Sequence, residues 1–300
     1  MLRAVDTHTP RAPHAPHAPH APHGDDVDVA VSGAVDDACA RARRAQQAFA
    51  ATPVRARVEL LRQLRRAMLR RADELIAVVV DESAKVRFEA ITLEIVPSAL
   101  TLAYTAHVAE RALAARRVRP YLPIPRRATV AHRPRGVVGL ITPFNYTLSI
   151  PMSTIGPAIA AGNAVVWKPA SSGLRAARAL VRVFEDAGMP RDLVSVVDGD
   201  VDAGRALVDG PIDHLTFVGS TAAGKEVGAR CGERLLPCIL ELGGNAAAIV
   251  DDDADLDRAS RAIAYGALCN AGQSCIAVER VLAVAPVFDE LVARTTAIVE

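Results

Sequence analysis

Val137-Val-Gly-Leu-Ile-Thr142 is a run of small and apolar residues that ends at the turn Pro143-Phe-Asn-Tyr146. A short apolar run that stops at a proline is typical of a strand buried on both faces. Similar runs occupy residues 164–168, 193–197 and 214–218, and helical patterns lie near residues 150–161, 174–187, 203–208 and 222–234. This alternation predicts an α/β fold with a parallel sheet wrapped by helices, which binds ligands beyond the carboxyl ends of its strands.

The chain before this sheet has a helical pattern from residue 31 to about residue 115. Leu60, Leu61, Leu64 and Met68 recur near helical spacing, which predicts a buried stripe with the intervening arginines facing away. The many arginines between residues 41 and 71 could bind nucleic acid. Acidic neighbours such as Glu59 and the lack of interleaved aromatic residues favour a solvated helix face instead.

Two segments depart from these patterns. Residues 1–26 repeat Ala-Pro-His four times, a composition that cannot bury a core and predicts a disordered tail. The alternative is a weak metal-binding tail, because a polyproline II helix would align His14, His17, His20 and His23. Residues 116–136 carry several prolines among apolar residues and arginines, which predicts an exposed hairpin arm.

The bulk composition excludes several classes of protein. The formal net charge of +1 gives no global field to attract nucleic acid or an anionic membrane. Five cysteines without a Cys-x-x-Cys pair argue against a disulfide framework or a zinc ribbon and favour a reducing compartment. With no apolar signal segment at the start and no long apolar run, the sequence predicts a cytoplasmic protein without nucleic-acid or membrane partners.

Downstream of the sheet, the apolar strand Ala246–Val250 runs into a group of aspartates at residues 251–257. These precede an alanine-rich helical pattern near residues 255–270, and helix capping and the helix dipole explain them without a metal. A calcium loop would require a glycine and a closing glutamate that are absent.

Two stretches carry residue types suited to covalent catalysis. Asn270-Ala-Gly-Gln-Ser-Cys-Ile276 presents Cys275 in a turn of small and polar residues, and Leu240-Glu-Leu-Gly-Gly-Asn245 places Glu241 at the end of an apolar strand. A thiolate that attacks a carbonyl needs a separate base to activate water for the second half of the reaction. On these residues alone, a buried inert thiol and a salt-bridged glutamate stay open as alternatives.

The turn after the first sheet strand adds a possible hydrogen-bond donor. The Asn145 side-chain amide could donate to an oxyanion, or it could bond its own backbone as many turn asparagines do. Phe217-Val-Gly-Ser-Thr-Ala-Ala-Gly224 closes a strand and opens a helix, whose first amides could face a pyrophosphate. Asp198-Gly-Asp-Val-Asp-Ala-Gly204 is a weaker glycine-rich candidate, and a generic strand–turn–helix is the alternative.

Together with Val165-Val-Trp-Lys-Pro169, these segments resemble the NAD(P)-dependent aldehyde dehydrogenase superfamily in order and spacing. The resemblance implies a Rossmann-like domain at about residues 27–242, including the N-terminal helices and the arm, followed by the first part of a second α/β catalytic domain at residues 243–300. It implies that Cys275 is the nucleophile, that Glu241 is the deacylating base and that Asn145 is an oxyanion donor with the Cys275 backbone N–H. The corresponding arm joins subunits in that family, which implies a homo-oligomer.

The resemblance also implies NAD or NADP as cofactor. It places Lys168 at the adenosine ribose and Ser171 where many NAD-preferring relatives carry glutamate. Because serine would not repel a 2′-phosphate, NADP is expected to be tolerated or preferred. The implied cofactor contacts are Ile141, Thr142, Pro143, Phe144, Lys168, Ser171, Gly204, Phe217, Gly219, Ser220, Gly224 and Leu242.

The sequence departs from the family pattern in three places. Phe144 and Thr147 stand where tryptophan and proline are usual, and Asp200 stands where glycine is common. The family also runs well beyond residue 300, so we expect a fragment or degenerate member that oxidises an aldehyde to a carboxylic acid with impaired turnover. The alternatives are a non-catalytic cofactor-binding protein and a thiol esterase.

Overall fold

The computed structural model describes residues 2–6, 25–119 and 127–300. The chain forms a larger compact unit, Gly24–Glu241, and a smaller one, which comprises Leu242–Glu300 and the N-terminal strand β1 (Leu2–Asp6). The four histidines of the repeat lie outside the described residues. The expected disordered tail is wrong for β1, because Leu2–Asp6 pairs antiparallel with a strand of the smaller unit.

Helices make up the first part of the larger unit. They are α1 (Asp25–Ala50), α2 (Val54–Arg70), α3 (Ala72–Ser83), α4 (Arg87–Glu89) and α5 (Val96–Leu113), with a π-helical turn, Ala90–Ile95, between the last two. The predicted stripe of α2 is confirmed: Leu61, Leu64 and Met68 are fully buried. Glu59 pairs with Arg62 on the exposed face, at 3.3 Å.

One helical run among the described residues, Arg87–Leu113, is long and apolar enough to cross a membrane by length and composition alone. This corrects the expectation that no apolar run has that length. The run includes a buried carboxylate, Glu94, and α5 packs against α2 within the larger unit. Both observations are typical of a helix that packs within a folded domain on one face.

The predicted hairpin arm is present in the described residues. β2 (Arg116–Val118) pairs antiparallel with β3 (Ala128–Val130), so that Arg116 lies opposite Val130. Residues 120–126 of the arm lie outside the described residues.

A five-stranded sheet forms the core of the larger unit. Its strands and helices follow in chain order as β4 (Val137–Thr142), α6 (Ser149–Ala160), β5 (Ala164–Pro169), α7 (Leu174–Asp186), β6 (Val194–Val196), α8 (Val201–Asp209), β7 (His214–Gly219), α9 (Thr221–Glu233) and β8 (Cys238–Leu242). The strand order is β6-β5-β4-β7-β8, and β4 is parallel to both β5 and β7. The α/β fold with a Rossmann-like parallel sheet is therefore confirmed.

The strand order creates a topological switch point beside the central strand. The chain leaves β4 for β5 and β6 on one side and then crosses back to β7 on the other side. β4 and β5 are buried on both faces, and the Trp167 side chain in β5 is fully buried. This burial explains why both strands are almost wholly apolar. Sheets of this kind bind ligands in the crevice outside the carboxyl ends of the strands at such a point.

The smaller unit is also α/β. It contains β9 (Ala246–Val250), α10 (Leu256–Leu268), β10 (Val278–Val284) and α11 (Ala285–Val299), with a 3-10 turn, Cys269–Gly272, before β10. The strand order is β1-β10-β9. Its core comprises Val250, Ile263, Val281, Ala283, Val287 and Leu291. Ile249 points away from this core and is 76% exposed.

Candidate functional site

Most of the predicted cofactor residues lie at the carboxyl edge of the five-stranded sheet. Ile141 and Thr142 end β4, Lys168 lies near the end of β5, and Gly219 ends β7. The parallel arrangement brings these strand ends together, because neighbouring parallel strands finish at the same edge. Gly204 is in α8, the helix that begins at this edge after β6. The predicted contacts of the larger unit thus converge on one edge.

At the end of β5, a buried cation lies close to two carboxylates. Lys168 is 9% exposed. Burial lowers its pKa, while Asp200 and Asp198 raise it by charge attraction. The Ser171 hydroxyl donates a hydrogen bond to Asp200 Oδ1 at 2.5 Å. These contacts join the loop after β5 to the loop after β6.

The end of β7 turns directly into α9. Ser220 is the N-cap residue of this helix, and its hydroxyl accepts a bond of 3.3 Å from the Ala223 N–H. A Cβ on Gly219 would lie 2.6 Å from the Phe217 ring, so a larger residue here would have to displace that ring. The first amides of a helix have no partner within it and can receive an anionic group. A buried ammonium, a hydroxyl-bearing turn and a helix N-terminus therefore suit a dinucleotide.

The turn after β4 is anchored to the sheet beneath it. Thr142 is buried, and its Oγ1 accepts a hydrogen bond of 2.8 Å from Trp167 Nε1. Phe144, by contrast, is 49% exposed. The predicted contacts Pro143 and Phe144 thus follow a strand end that this hydrogen bond holds in place.

A buried ion pair holds the residues that follow this turn. Lys85 Nζ is 2.6 Å from Glu94 Oε1 and 2.5 Å from the Asn145 carbonyl oxygen. Glu94 also accepts hydrogen bonds from the backbone N–H groups of Thr147, Leu148 and Ser149, at 3.0, 3.0 and 2.9 Å. One carboxylate therefore fixes the start of α6, and its lysine partner fixes the backbone of Asn145.

Sequence reasoning missed this cluster. A glutamate and a lysine in a helical stretch usually lie on a solvated face, but Glu94 and Lys85 are 0% and 5% exposed. The departure at Thr147 belongs to the same cluster, because a proline could not donate the backbone N–H that bonds Glu94. The one available signal was Glu94 itself, an acidic residue within an otherwise uncharged run from residue 90 to residue 100.

Glu241 lies near the end of β8, where exposed and half-buried residues alternate. Its side chain is exposed, so solvent can stabilise the carboxylate. No ion pair to Glu241 is found among the described residues. Leu242, the last predicted cofactor contact, is half-buried at the end of the same strand.

Cys275 lies in the smaller unit, whereas Asn145 and Glu241 belong to the larger one. The turn before Cys275 has three successive residues with positive φ: Asn270 at 58°, Ala271 at 54° and Gly272 at 72°. Asn270 is buried, and its Nδ2 donates to the Gln273 carbonyl oxygen at 2.9 Å. A Cβ on Gly244 would lie 3.5 Å from the Cys275 carbonyl oxygen, so this glycine segment runs beside the turn.

Cys275 differs from the other cysteines in exposure. All five lie in the described residues, and Cys275 alone is classed as exposed. Cys39 and Cys231 are buried, and burial raises the pKa of each thiol to about 11. Cys275 is therefore not a buried thiol. His107 and His132 are exposed, and His214 begins β7 at the opposite edge of the sheet.

The aspartates after β9 divide into two groups. Asp255 caps α10, since its carboxylate accepts from the N–H groups of Asp257 and Arg258, both at 3.1 Å. This confirms the capping interpretation for Asp255. Carboxylate oxygens of Asp251, Asp252 and Asp253 lie within 4.8 Å of one another on the exposed surface. Exposed acidic groups of this kind are common without an ion.

The aldehyde dehydrogenase family model matches residues 21–300. The chain belongs to this family. A protein of Mycolicibacterium smegmatis, whose given name is that of a succinate-semialdehyde dehydrogenase for NADP(+), is 40% identical over 258 residues, which are 86% of this chain and 50% of the relative. The chain thus spans about half the length of the curated relatives it matches.

Solved structures show the same likeness for this chain. An NAD-dependent aldehyde dehydrogenase from Sinorhizobium meliloti has a TM-score of 0.85 and 33% identity, and the match covers 89% of this chain and 53% of that one. An NAD-dependent benzaldehyde dehydrogenase from Corynebacterium glutamicum has a TM-score of 0.82 and 32% identity, with 89% and 58% covered.

Proposed function

We propose that this chain oxidises an aldehyde to a carboxylic acid with NAD or NADP. The observation that carries the proposal is the exposure of Cys275 on a turn of left-handed residues, in a chain that belongs to the aldehyde dehydrogenase family. Backbone conformations of this kind are costly and concentrate at functional sites. The relatives' names refer to different aldehydes, so the proposal is made for aldehydes as a class.

The nucleotide would be held at the carboxyl edge of the sheet. Lys168 and Ser171 would bind the adenosine ribose, and Gly219 with Ser220 would admit the pyrophosphate to the start of α9. The donor set described above fits such a group, since it combines a buried ammonium with backbone amides. When bound, the nucleotide would supply the hydride acceptor.

The residues of the chain would act in two stages. Cys275 as thiolate adds to the aldehyde carbon, and Asn145 and the Cys275 backbone N–H stabilise the oxyanion of the thiohemiacetal. After oxidation, the substrate is a thioester on Cys275. Glu241 then removes a proton from water, whose oxygen attacks the thioester carbon. The C–S bond breaks, which releases the acid and leaves Cys275 as the thiolate. The buried Lys85–Glu94 pair would hold the Asn145 backbone in place during both stages.

A cofactor-dependence assay tests this proposal. Purified chain is mixed with a panel of aldehydes and either nucleotide, and reduced nicotinamide is followed by absorbance. We expect aldehyde-dependent reduction that Cys275→Ser abolishes and Cys269→Ser retains. A thiol esterase would instead cleave activated esters and reduce no nucleotide, and a non-catalytic binding protein would bind nucleotide without any reduction.

A further inference from the structure

The turn after β5 lacks a carboxylate of its own. In doubly wound sheets, an acidic side chain close to the end of the second strand bonds the adenosine ribose hydroxyl of NAD and disfavours the 2′-phosphate of NADP. Here β5 is the second strand of the sheet in chain order, and the turn that follows it begins with the neutral Ser171. Judged by that residue alone, the chain would accept either nucleotide.

A carboxylate reaches the same place from the neighbouring loop. Asp200 follows β6, the strand that pairs with β5, and its Oδ1 accepts the hydrogen bond from Ser171 Oγ at 2.5 Å. Asp200 is also the N-cap residue of α8, yet its side chain makes no capping bond to that helix. The interaction with Ser171 thus directs this carboxylate to the turn after β5.

Two cations, Lys168 and Arg178, and one further carboxylate, Asp198, lie around Asp200. Asp198 in the same loop forms an ion pair with Arg178 at 3.1 Å. Asp200 has no ion-pair partner within the part of the chain that the structure describes. Lys168 is close enough for both aspartates to raise its pKa. One buried ammonium therefore faces two carboxylates, one of which is not countered by an arginine.

We propose that Asp200, hydrogen-bonded to Ser171, supplies the carboxylate that selects NAD over NADP. This inference rests on the proposed binding of a nucleotide at the carboxyl edge. The Asp200 carboxylate accepts a hydrogen bond from a free ribose 2′-hydroxyl. A 2′-phosphate brings about two further negative charges beside it, and such juxtaposed like charges weaken binding. The chain then prefers NAD, although Ser171 itself is neutral and relatives are named for NADP.

Titration calorimetry with NAD⁺ and NADP⁺, without aldehyde, tests this assignment independently of turnover. The intact chain is expected to bind NAD⁺ at least about tenfold more tightly than NADP⁺ at low salt, and the difference should narrow as salt screens the repulsion. Asp200→Asn should tighten NADP⁺ binding about tenfold while NAD⁺ binding changes about threefold or less. Asp209→Asn is the control, because it removes the same charge at the opposite end of α8 and should leave the ratio unchanged.

The outcomes separate this inference from the proposed function. If both nucleotides bind and Asp200→Asn leaves their ratio unchanged, the role of Asp200 is wrong and the proposed function stands. Tighter binding of NADP⁺ than of NAD⁺ by the intact chain also overturns the inference alone. If neither nucleotide binds, the proposed function fails and the inference fails with it.

Discussion

Lys85 and Glu94 form a buried ion pair, with Lys85 Nζ 2.6 Å from Glu94 Oε1 and side-chain exposures of 3% and 0%. The pair joins three parts of the larger unit, because Glu94 also binds the amides at the start of α6 and Lys85 binds the Asn145 carbonyl oxygen. Removing either member should destabilise the fold, because the other charge would stay buried without its partner.

Replacing Glu94 with glutamine should destabilise the chain strongly. The change leaves the Lys85 ammonium buried without a countercharge, and we expect a loss of about 3 kcal/mol or more in the free energy of unfolding. Glu59→Gln is the matched control, because its exposed ion pair with Arg62 is worth less than about 1 kcal/mol. Urea denaturation monitored by circular dichroism measures both. Equal, small losses would contradict the role assigned to the buried pair.

The two buried threonines near the β4 turn should respond oppositely to valine. Among the described residues, the buried Thr147 Oγ1 has no hydrogen-bond partner, so Thr147→Val should stabilise the chain by about 1 kcal/mol. Thr142 Oγ1 accepts the Trp167 indole bond, so Thr142→Val should destabilise it by about 1–3 kcal/mol. The melting temperatures of the two variants, measured by thermal unfolding, test both expectations. A lower melting temperature for Thr147→Val would show that its hydroxyl has a partner.

The left-handed turn before Cys275 should require glycine at residue 272. Gly272 has φ of +72°, and a Cβ there would lie 3.1 Å from the Ala267 carbonyl oxygen. We expect Gly272→Ala to cost about 1–2 kcal/mol of stability. Gly243→Ala is the control, because a Cβ at that position meets nothing within 4 Å. Denaturant midpoints that shift equally for both variants would argue against strain in this turn.

Thiol labelling should separate the cysteines by exposure and pH. Cys275 is open to reagent, whereas the pKa of about 11 keeps the buried Cys39 and Cys231 protonated at pH 8. Because the thiolate is the reactive form, labelling of the two buried thiols should rise about tenfold per pH unit until the pH approaches 11. Iodoacetamide labelling with peptide mass spectrometry measures this. Cys39 or Cys231 reacting as fast as Cys275 at pH 8 would contradict the described burial.

The sequence was sufficient for the main strands and helices because their signals are local. β4 and β9 were predicted with the bounds that the structure has, since each is a short apolar run between turn-forming residues. β1 was missed because its five residues adjoin a low-complexity repeat and pair with β10, a strand far away in the sequence. β10 was also missed, because Arg280 and Glu279 interrupt its apolar pattern.

Some residues of the candidate site could also be predicted from the sequence, and others could not. Cys275, Glu241 and the glycines of the β7 turn lie in contiguous motifs, so a sequence can indicate them. The Lys85–Glu94 pair and the Ser171–Asp200 hydrogen bond depend on contacts between different loops and helices. Neither pairing can be predicted from a local pattern, because Glu94 alone stands out in its segment and the other three side chains are typical of an ordinary surface.

The most direct test of the central claim is a single-turnover experiment that compares intact chain, Cys275→Ser and Glu241→Gln. Each is mixed with excess aldehyde and nucleotide. The amount of reduced nicotinamide and the mass of any acyl group bound to Cys275 are then measured in the same sample. The proposal predicts that Glu241→Gln reduces one nucleotide per chain and accumulates the thioester, while Cys275→Ser does neither. Reduction of nucleotide by Cys275→Ser would contradict it, because oxidation would then proceed without the sulfur on which the mechanism depends.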